Sequence, residues 1–213
     1  MAYNFTEVEK KWQEYWDKHE SFKAITGDKK DPYYILVEFP YPSGAGLHVG
    51  HVRSYTAQDA LARMKRMQGY NVLYPMGWDA FGAPAEQYAI KNHIHPKEAV
   101  KQNIHTFKGQ MKNLGFSFDW SREFSTTDPE YYKWTQWQFL QFYKHGMAYK
   151  DTIPVNWCPN CKTVLSNEDA AGGVCERCGS PVEQREKSQW MLRMSDYSED
   201  LLKGLDDTNF APR

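Results

Sequence analysis

The feature that most constrains the fold is a strand, a turn and a helix that are followed at once by another strand. Residues 33–37, YYILV, form a β-prone apolar run that is typical of a strand covered on both faces of a sheet. Apolar residues recur at helical spacing through residues 48–68, at positions 57, 61, 64 and 67, and Gly69 is placed to cap this helix. Residues 71–75 form a second short strand. The pattern predicts a β-α-β unit with a parallel sheet, which makes the fold class α/β.

The turn inside this unit, residues 38–51, has the sequence EFPYPSGAGLHVGH. It follows a strand and leads into a helix N-terminus, where open α/β sheets bind ligands and backbone N–H groups favour phosphate. Gly44, Gly46 and Gly50 let the backbone approach a ligand closely. His48 and His51 stand three residues apart at the start of the helix, so both imidazoles can hydrogen-bond to one triphosphate.

The residues alone leave alternatives to a nucleotide site. The turn matches neither G-x-G-x-x-G nor G-x-x-x-x-G-K-[ST], which disfavours dinucleotide and P-loop sites. On a purely structural interpretation, the glycines only form the turn and both histidines are surface residues. Asp79, in GWDAFG, suits an amine partner, but the same residue type also caps helices and occupies turns.

Other periodic segments extend the α/β pattern. Residues 6–19 begin with a capping box, Thr6 to Glu9, and predict an amphipathic helix. Further helices are predicted at residues 85–93, 96–114, 128–145 and 195–205, and strands at residues 149–157 and 183–194. The aromatic residues at positions 134, 137, 139 and 143 have helical spacing, which indicates core packing rather than a base-stacking surface.

All four cysteines lie in one segment, as Cys158-x₂-Cys161 and Cys175-x₂-Cys178. This spacing matches two facing knuckles of a tetrahedral four-thiolate Zn²⁺ site. The second pair at ribbon spacing, in a chain without a recognisable signal peptide, favours structural zinc over disulfides or a redox pair. No fifth ligand is evident, so a closed, non-catalytic site is expected.

Composition narrows the class of protein. The 26 Lys and Arg residues are balanced by 27 Asp and Glu residues, and a net charge of −1 gives no overall basic field for nucleic acid or membranes. The start MAYNFTEVEKKW lacks the regions of a signal peptide, and no stretch reaches the length of a membrane span. A cytoplasmic protein without a membrane partner is therefore expected.

Longer stretches carry a family resemblance. HVGH after a strand and a Pro-Gly turn resembles the HIGH element of class I aminoacyl-tRNA synthetases. FPYPSGAGLHVGH, GYNVLYPMGWDAFGAPAEQYA, TTDPEYYKWTQW and VNWCPNCKTVLSNE together resemble bacterial-type leucyl-tRNA synthetases over nearly the whole chain. The resemblance implies a Rossmann-like, HIGH-type nucleotide-binding half-domain with a parallel sheet and a small zinc-ribbon insert.

The resemblance also implies roles for individual residues. His48 and His51 would be the catalytic residues, contacting ATP and stabilising charge on its α-phosphate. Phe39, through its carbonyl, and Asp79 would hold the α-ammonium of leucine, and Tyr41 would line the pocket for its side chain. The other ATP-binding residues implied are Pro42, Ser43, Gly44, Gly46 and Gly50.

The activity implied is ATP-dependent activation of leucine, with Mg²⁺ accompanying ATP, and transfer of the leucyl group to tRNA(Leu). The second ATP-binding motif of the family, KMSKS, does not occur in the sequence. A partial chain, a subunit of a split enzyme or a stand-alone relative is therefore expected, inactive without the remaining synthetase domains in cis or in trans.

The expected organisation is a catalytic half-domain over residues 1–150, a zinc-ribbon insert over residues 151–185 and a return segment over residues 186–213. The alternative function is a non-catalytic module that binds an adenylate, an amino acid or RNA. Leucine-dependent pyrophosphate exchange would favour the synthetase, and RNA binding without exchange would favour the module.

Overall fold

The computed structural model describes residues 3–44 and 46–209. The chain divides into two compact units, Met1–Lys133 and Trp134–Arg213. The helices are α1 (Phe5–Lys18), α2 (Val49–Met67), α3 (Ala83–Lys91), α4 (Pro96–Asn113), α5 (Pro129–Lys144) and α6 (Ser198–Gly204). The strands are β1 (Pro32–Tyr34), β2 (Asn71–Leu73), β3 (Pro75–Trp78), β4 (Asp119–Ser125), β5 (Ala148–Cys158), β6 (Thr163–Leu165) and β7 (Glu183–Leu192). Within the described ranges, none of the helices combines the length and the apolar character needed to cross a membrane.

The first unit contains parallel strands on both sides of residues 71–78. β1 pairs with β2 in parallel, and β3 pairs with β4 in parallel. Only Tyr74 separates β2 from β3, so one continuous stretch of backbone pairs first with β1 and then with β4. The predicted β-α-β unit is thereby confirmed. β4 was not predicted, because its sequence DWSREFS offers no apolar run.

The helix between β1 and β2 ends as the sequence predicts. Gly69 adopts a φ of +93°, a conformation that glycine adopts without a side-chain clash. The N–H of Tyr70 donates to the carbonyl of Lys65 at 3.1 Å, which is the backbone pattern of a Schellman cap. Glycine therefore ends α2 and turns the chain directly into β2.

The buried face of α2 is not the one that carries its regularly spaced apolar residues. Met64 and Met67 are 45% and 89% exposed, whereas Tyr55, Asp59 and Ala62 are buried. A buried carboxylate must be paired or hydrogen-bonded. Asp59 meets this condition, because its Oδ1 accepts hydrogen bonds from the backbone N–H and the hydroxyl of Ser117, both at 2.6 Å. The inward face is therefore partly polar, and of the regularly spaced apolar residues Leu61 packs against the core.

The core of the first unit packs residues of α2, the parallel strands and α4 into one cluster. Burial of a large apolar side chain of this kind stabilises a fold by about 1.5–3 kcal/mol. The largest buried side chains of the cluster are Tyr74, Met76, Trp78, Phe107, Met111 and Phe118. They fix the strand ends from which the site loops leave.

The N-terminus of α1 is capped differently from the prediction. Asn4 is the N-cap, and its side-chain oxygen accepts from the N–H of Glu7 at 3.5 Å. Thr6 lies inside the helix, so the predicted capping box from Thr6 to Glu9 is wrong. Asparagine supplies the same acceptor that threonine would have supplied, two positions earlier.

The second unit is built on a long antiparallel ribbon. β5 pairs with β7 from Ala148↔Leu192 to Trp157↔Glu183, and its far end pairs with β6. Residues on both sides of position 185 therefore belong to one sheet. The predicted domain ranges 1–150, 151–185 and 186–213 stay a prediction, and the compact units divide the chain between residues 133 and 134.

The aromatic residues of α5 are not core residues as predicted. Trp134, Trp137 and Tyr143 are 63%, 56% and 56% exposed, so the prediction of core packing is wrong for them. Phe139 is half-buried, and its ring meets the ring of Trp190 edge-on at 5.1 Å between centroids. Helical spacing alone does not distinguish a buried face from an exposed one when its residues are amphipathic.

Candidate functional site

The turn after β1 and the first turns of α2 enclose a cavity of about 410 Å³ in the first unit. This volume lies in the range of pockets that hold small ligands. Five predicted site residues line it: Phe39, Tyr41, His48, Gly50 and His51. The other lining residues are Glu38, Pro40, Ser54, Tyr55 and Gln58.

The two histidines cap the helix that carries them. Nδ1 of His48 accepts a hydrogen bond from the N–H of Gly50 at 3.1 Å, and Nδ1 of His51 accepts one from the N–H of His48 at 3.2 Å. The arrangement is a capping box in which imidazoles replace the usual hydroxyl and carboxylate. The rings stack with centroids 3.7 Å apart and planes inclined at 29°.

This pairing fixes the protonation pattern of the rings. A neutral imidazole that accepts a hydrogen bond at Nδ1 carries its proton on Nε2. Both Nε2–H groups therefore remain as donors for an anion. The N–H of Gly50 is already bonded to His48, so this backbone group is not available as the anion donor that the sequence suggested.

The surroundings keep His51 neutral. Burial and the neighbouring ring of His48 lower the pKa of His51 below its ordinary value, and the carboxylate of Glu38 opposes this shift. Burial also raises the pKa of Tyr55, whose phenol hydroxyl donates to the carbonyl of Glu38 at 3.1 Å. Both side chains are therefore neutral near neutral pH, next to the carboxylate of Glu38.

The residues expected to hold an amino acid lie around the same loop. Phe39 is half-buried and meets the ring of Phe124 edge-on at 5.2 Å, and Tyr41 is 57% exposed at the rim. The N–H of Asp79 donates to the carbonyl of Pro40 at 3.1 Å, which ties the end of β3 to the turn after β1. Asp79 is thus next to the loop, although its side chain is not among those lining the cavity.

The remaining predicted ATP-binding residues occupy the outer part of the turn. Pro42 is buried and its carbonyl accepts from Asn103 of α4 at 2.9 Å. Ser43, Gly44 and Gly46 are half-buried. A Cβ at Gly44 would meet nothing within 4 Å, whereas a Cβ at Gly46 would lie 2.7 Å from the side chain of Gln110. Ala45 lies outside the described residues.

Several lining residues escaped the sequence analysis. Ser54, Tyr55 and Gln58 follow His51 at three, four and seven residues, so helical periodicity from His51 would have found them. Gln58 donates through Nε2 to the carbonyl of Leu36 at 3.3 Å. Its Oε1 is buried and meets no donor among the described residues. A buried acceptor without a partner is a group that a bound water or ligand can satisfy.

In the second unit, the four cysteines converge as predicted. The Sγ atoms of Cys158, Cys161, Cys175 and Cys178 all lie within 4.8 Å of one another. Tetrahedral Zn²⁺ with Zn–S bonds of about 2.3 Å needs sulfurs about 3.8 Å apart. Cys158 Sγ and Cys178 Sγ are 3.5 Å apart, and Cys158 Sγ also accepts from the N–H of Cys161 at 3.3 Å. The donor set and its spacing fit a zinc ion.

The electrostatics of the cluster also suit a cation. Hydrogen bonds from the side chain and backbone of Ser180, with a further one from Asn160, lower the pKa of Cys178 to about 5. A hydrogen bond with Cys178 raises the pKa of Cys161. The thiolate is the form that ligates metals, so the cluster already favours one anionic sulfur. Cys158 and Cys175 are almost fully buried.

Comparison with known proteins identifies the family. The family model described as tRNA synthetases class I (I, L, M and V) matches residues 11–213. The chain belongs to this family. Its HIGH-type turn, parallel strands and cysteine module are therefore those of a class I synthetase catalytic domain, as the resemblance implied.

Relatives of this class I synthetase chain include the leucine--tRNA ligase of Alkaliphilus oremlandii, which is 55% identical over 99% of the chain. The Agrobacterium radiobacter LeuRS, solved as a ternary complex with tRNA and LeuAMS, is 38% identical with a TM-score of 0.88 over 99% of the chain. Mycobacterium tuberculosis methionyl-tRNA synthetase in complex with methionyl-adenylate is 27% identical with a TM-score of 0.70 over 86% of the chain. The chain spans 26%, 27% and 36% of these three proteins.

Proposed function

We propose that this class I synthetase chain forms the ATP- and leucine-binding part of a leucine–tRNA ligase. The observation that carries the proposal is the cavity at the strand ends, into which the stacked His48 and His51 and the rim residue Tyr41 are gathered. The high identity to a leucine--tRNA ligase supports the choice of leucine among the four amino acids of the family. The proposed location is the cytoplasm.

In the proposed reaction, the triphosphate of ATP binds at the N-terminus of α2. The Nε2–H groups of His48 and His51 donate to phosphate oxygens and stabilise the charge that builds up when the carboxylate of leucine attacks the α-phosphorus. Pyrophosphate leaves with its Mg²⁺. Because both rings are already held by backbone hydrogen bonds, they need little reorganisation when the transition state forms.

Leucine is proposed to bind on the Phe39 side of the same cavity. The carbonyl of Phe39 and the carboxylate of Asp79 would hold its α-ammonium, and Tyr41 would cover its side chain. The hydrogen bond from the N–H of Asp79 to Pro40 supports this arrangement, because it brings the acidic residue to the same turn. Positioning and charge stabilisation carry the reaction, and no side chain has to act as a strong base.

The cysteine module is proposed to bind Zn²⁺ through Cys158, Cys161, Cys175 and Cys178. Four thiolates fill a tetrahedral coordination sphere, so the ion would supply structure rather than an open catalytic position. The proposed partners are tRNA(Leu), which receives the leucyl group, and the remaining synthetase domains in cis or in trans. The LeuRS complex with tRNA and LeuAMS supports these partners by homology.

The proposal can be tested in two steps. Calorimetry with this chain should detect binding of ATP and of a leucyl-adenylate analogue. A chimera that joins this chain to the remaining part of the Alkaliphilus oremlandii ligase should catalyse leucine-dependent ATP–pyrophosphate exchange, and isoleucine, valine and methionine should support less exchange.

A matched variant pair sharpens the second step. His48→Asn keeps a side-chain acceptor for the helix cap but removes the Nε2–H donor, and exchange should fall by about 10²-fold, as it does when one oxyanion donor is lost. His105→Asn, at an exposed position on α4, should retain the activity. RNA binding by the chimera without any exchange would contradict the proposal and favour a non-catalytic binding module.

A further inference from the structure

One face of α4 lies against the turn that precedes α2. Asn103, Phe107 and Gln110 are spaced four and three residues apart, so they share this face of the helix. Asn103 and Phe107 are buried, and Gln110 is half-buried. Each of the three contacts a different part of the turn or of the helix start, and none of them was recognised in the sequence.

The two amides hold opposite ends of the turn. Nδ2 of Asn103, which is 4% exposed, donates to the carbonyl of Pro42 at 2.9 Å. Oε1 of Gln110 accepts from the N–H of Leu47 at 2.8 Å. Both bonds use backbone groups of a turn that has no strand or helix of its own to satisfy them. Loss of either amide would leave a buried or half-buried backbone group unpaired.

Gly46 shows how closely the turn approaches Gln110. A Cβ on Gly46 would stand 2.7 Å from Nε2 and 3.0 Å from Oε1 of that side chain, both shorter than ordinary contacts. The absence of a side chain at position 46 therefore leaves the space that the Gln110 amide occupies. The glycine-rich turn makes room for a neighbouring protein side chain as well as for a ligand.

The hydrogen bond between Leu47 and Gln110 lies next to the histidine pair. Leu47 directly precedes His48, whose own N–H donates to Nδ1 of His51 and whose Nδ1 accepts from Gly50. The ring of Phe107 approaches the ring of His51 with 6.2 Å between centroids and an angle of 64°. A shift of Leu47 would move the first residue of this capping box and, through it, both rings.

We propose that Asn103 and Gln110 are positioning residues, which hold the two ends of the turn so that the Nε2–H groups of His48 and His51 point at one site. The proposal rests on the proposed function, in which these donors bind the phosphates of ATP. Neither amide is among the residues that line the cavity. Each acts through the backbone of the turn.

The test uses Gln110→Met, which removes the acceptor while keeping a similar side-chain length. Its matched control is Gln102→Met, the same change at an exposed position of the same helix. ATP should bind about tenfold more weakly to Gln110→Met, whereas Gln102→Met should bind it like the unsubstituted chain. Circular dichroism of both variants checks that the helices are retained.

A second readout needs no ligand. Nitrogen chemical shifts of the ligand-free chain should show His48 and His51 with bare Nδ1 and protonated Nε2, and Gln110→Met should move both rings towards a mixture of tautomers. Gln110→Glu, which keeps an acceptor oxygen, should restore the original ring signals. A purely structural role would lower the melting temperature without changing the tautomer, so this readout separates the two roles.

Three outcomes would decide against the proposal: unchanged ring signals in Gln110→Met at any ATP affinity, equal effects of Gln102→Met, or no rescue by glutamate. Asn103→Ser tests the other end of the turn independently and should give the same tautomer change. If the unsubstituted chain binds no ATP, the proposed function fails, while the ring signals still decide whether the amides position the histidines.

Discussion

The two sites of the chain are held in place by different means. The cavity of the first unit rests on a core of large apolar side chains, among them Tyr74, Met76 and Trp78, and its histidines are fixed by hydrogen bonds. In the cysteine module, the buried cluster consists of Leu165 and two of the thiols themselves, Cys158 and Cys175. The geometry of the first site therefore depends on the packed core of its unit. The second site supplies most of the interior of its own module.

The largest expected effect follows from metal removal. Structural zinc contributes on the order of 10–16 kcal/mol of apparent free energy in small zinc-binding peptides. A strong chelator, or Cys175→Ser, should remove the bound zinc and abolish hydrogen-exchange protection around residues 158–178. ATP affinity in the first unit should stay unchanged. Persistent protection after chelation, with no metal detected by elemental analysis, would show that the module does not need an ion.

A smaller loss of stability is expected when the buried polar contacts of Asp59 in the first unit are broken. Asp59 accepts two hydrogen bonds from Ser117 and pairs with Nε of Arg63 at 2.7 Å. Asp59→Leu leaves the partners of this carboxylate unpaired and should destabilise the unit by about 3–5 kcal/mol. The midpoint of urea unfolding measures this change.

The matched control for that prediction is Asp31→Leu, at an exposed position next to β1. It should shift the urea midpoint only slightly. Equal shifts for the two variants would mean that the buried contacts of Asp59 contribute nothing particular to the first unit.

The next effect is a pH dependence that comes from His51. Because the folded pKa of His51 lies below its ordinary value, the unfolded chain binds more protons in the window below about pH 6.5. The stabilising contribution of neutral His51 is therefore full above that pH and is lost as the pH falls through the window. His51→Gln should reduce the loss of thermal stability between neutral and mildly acidic pH. His105→Gln, on the exposed side of α4, should leave it as it was.

The smallest expected effect is a change in stability at the two Cys-x₂-Cys turns of the cysteine module. The residue after the second cysteine has positive φ in both: 53° at Lys162 and 71° at Gly179. Gly179→Ala should destabilise the zinc-bound module by about 1 kcal/mol, and Lys162→Gly should relieve a strain of similar size. Thermal melting in the presence of excess zinc measures both changes. A stabilising Gly179→Ala would contradict this account.

Local patterns predicted the parts of the molecule whose geometry is itself local. The β-α-β order, the cap at Gly69, the placing of His48 and His51 on one side of the helix and the cysteine cluster all depend on residues that are close in sequence. Other features depend on distant partners. In sequence, Asp59 cannot be told from a surface carboxylate, because its partner Ser117 is 58 residues away. β4 is polar because several of its side chains, among them Asp119 and Glu123, are hydrogen-bonded rather than packed against a core. Asn103 is 61 residues from Pro42, and no spacing rule connects them.

The order of the elements along the chain has a consequence for the order in which the two sites can form during synthesis. The HIGH-type turn and α2 leave the ribosome early, but the hydrogen-bonding partners of the turn on α4, and Phe124 of β4, whose ring meets Phe39, follow only up to Ser125. From that point every described element that surrounds the cavity has been made, whereas Cys158, the first of the four thiols, has not. Domains fold as units during translation. The proposed nucleotide site can therefore be assembled before the four cysteines of the second unit have been made.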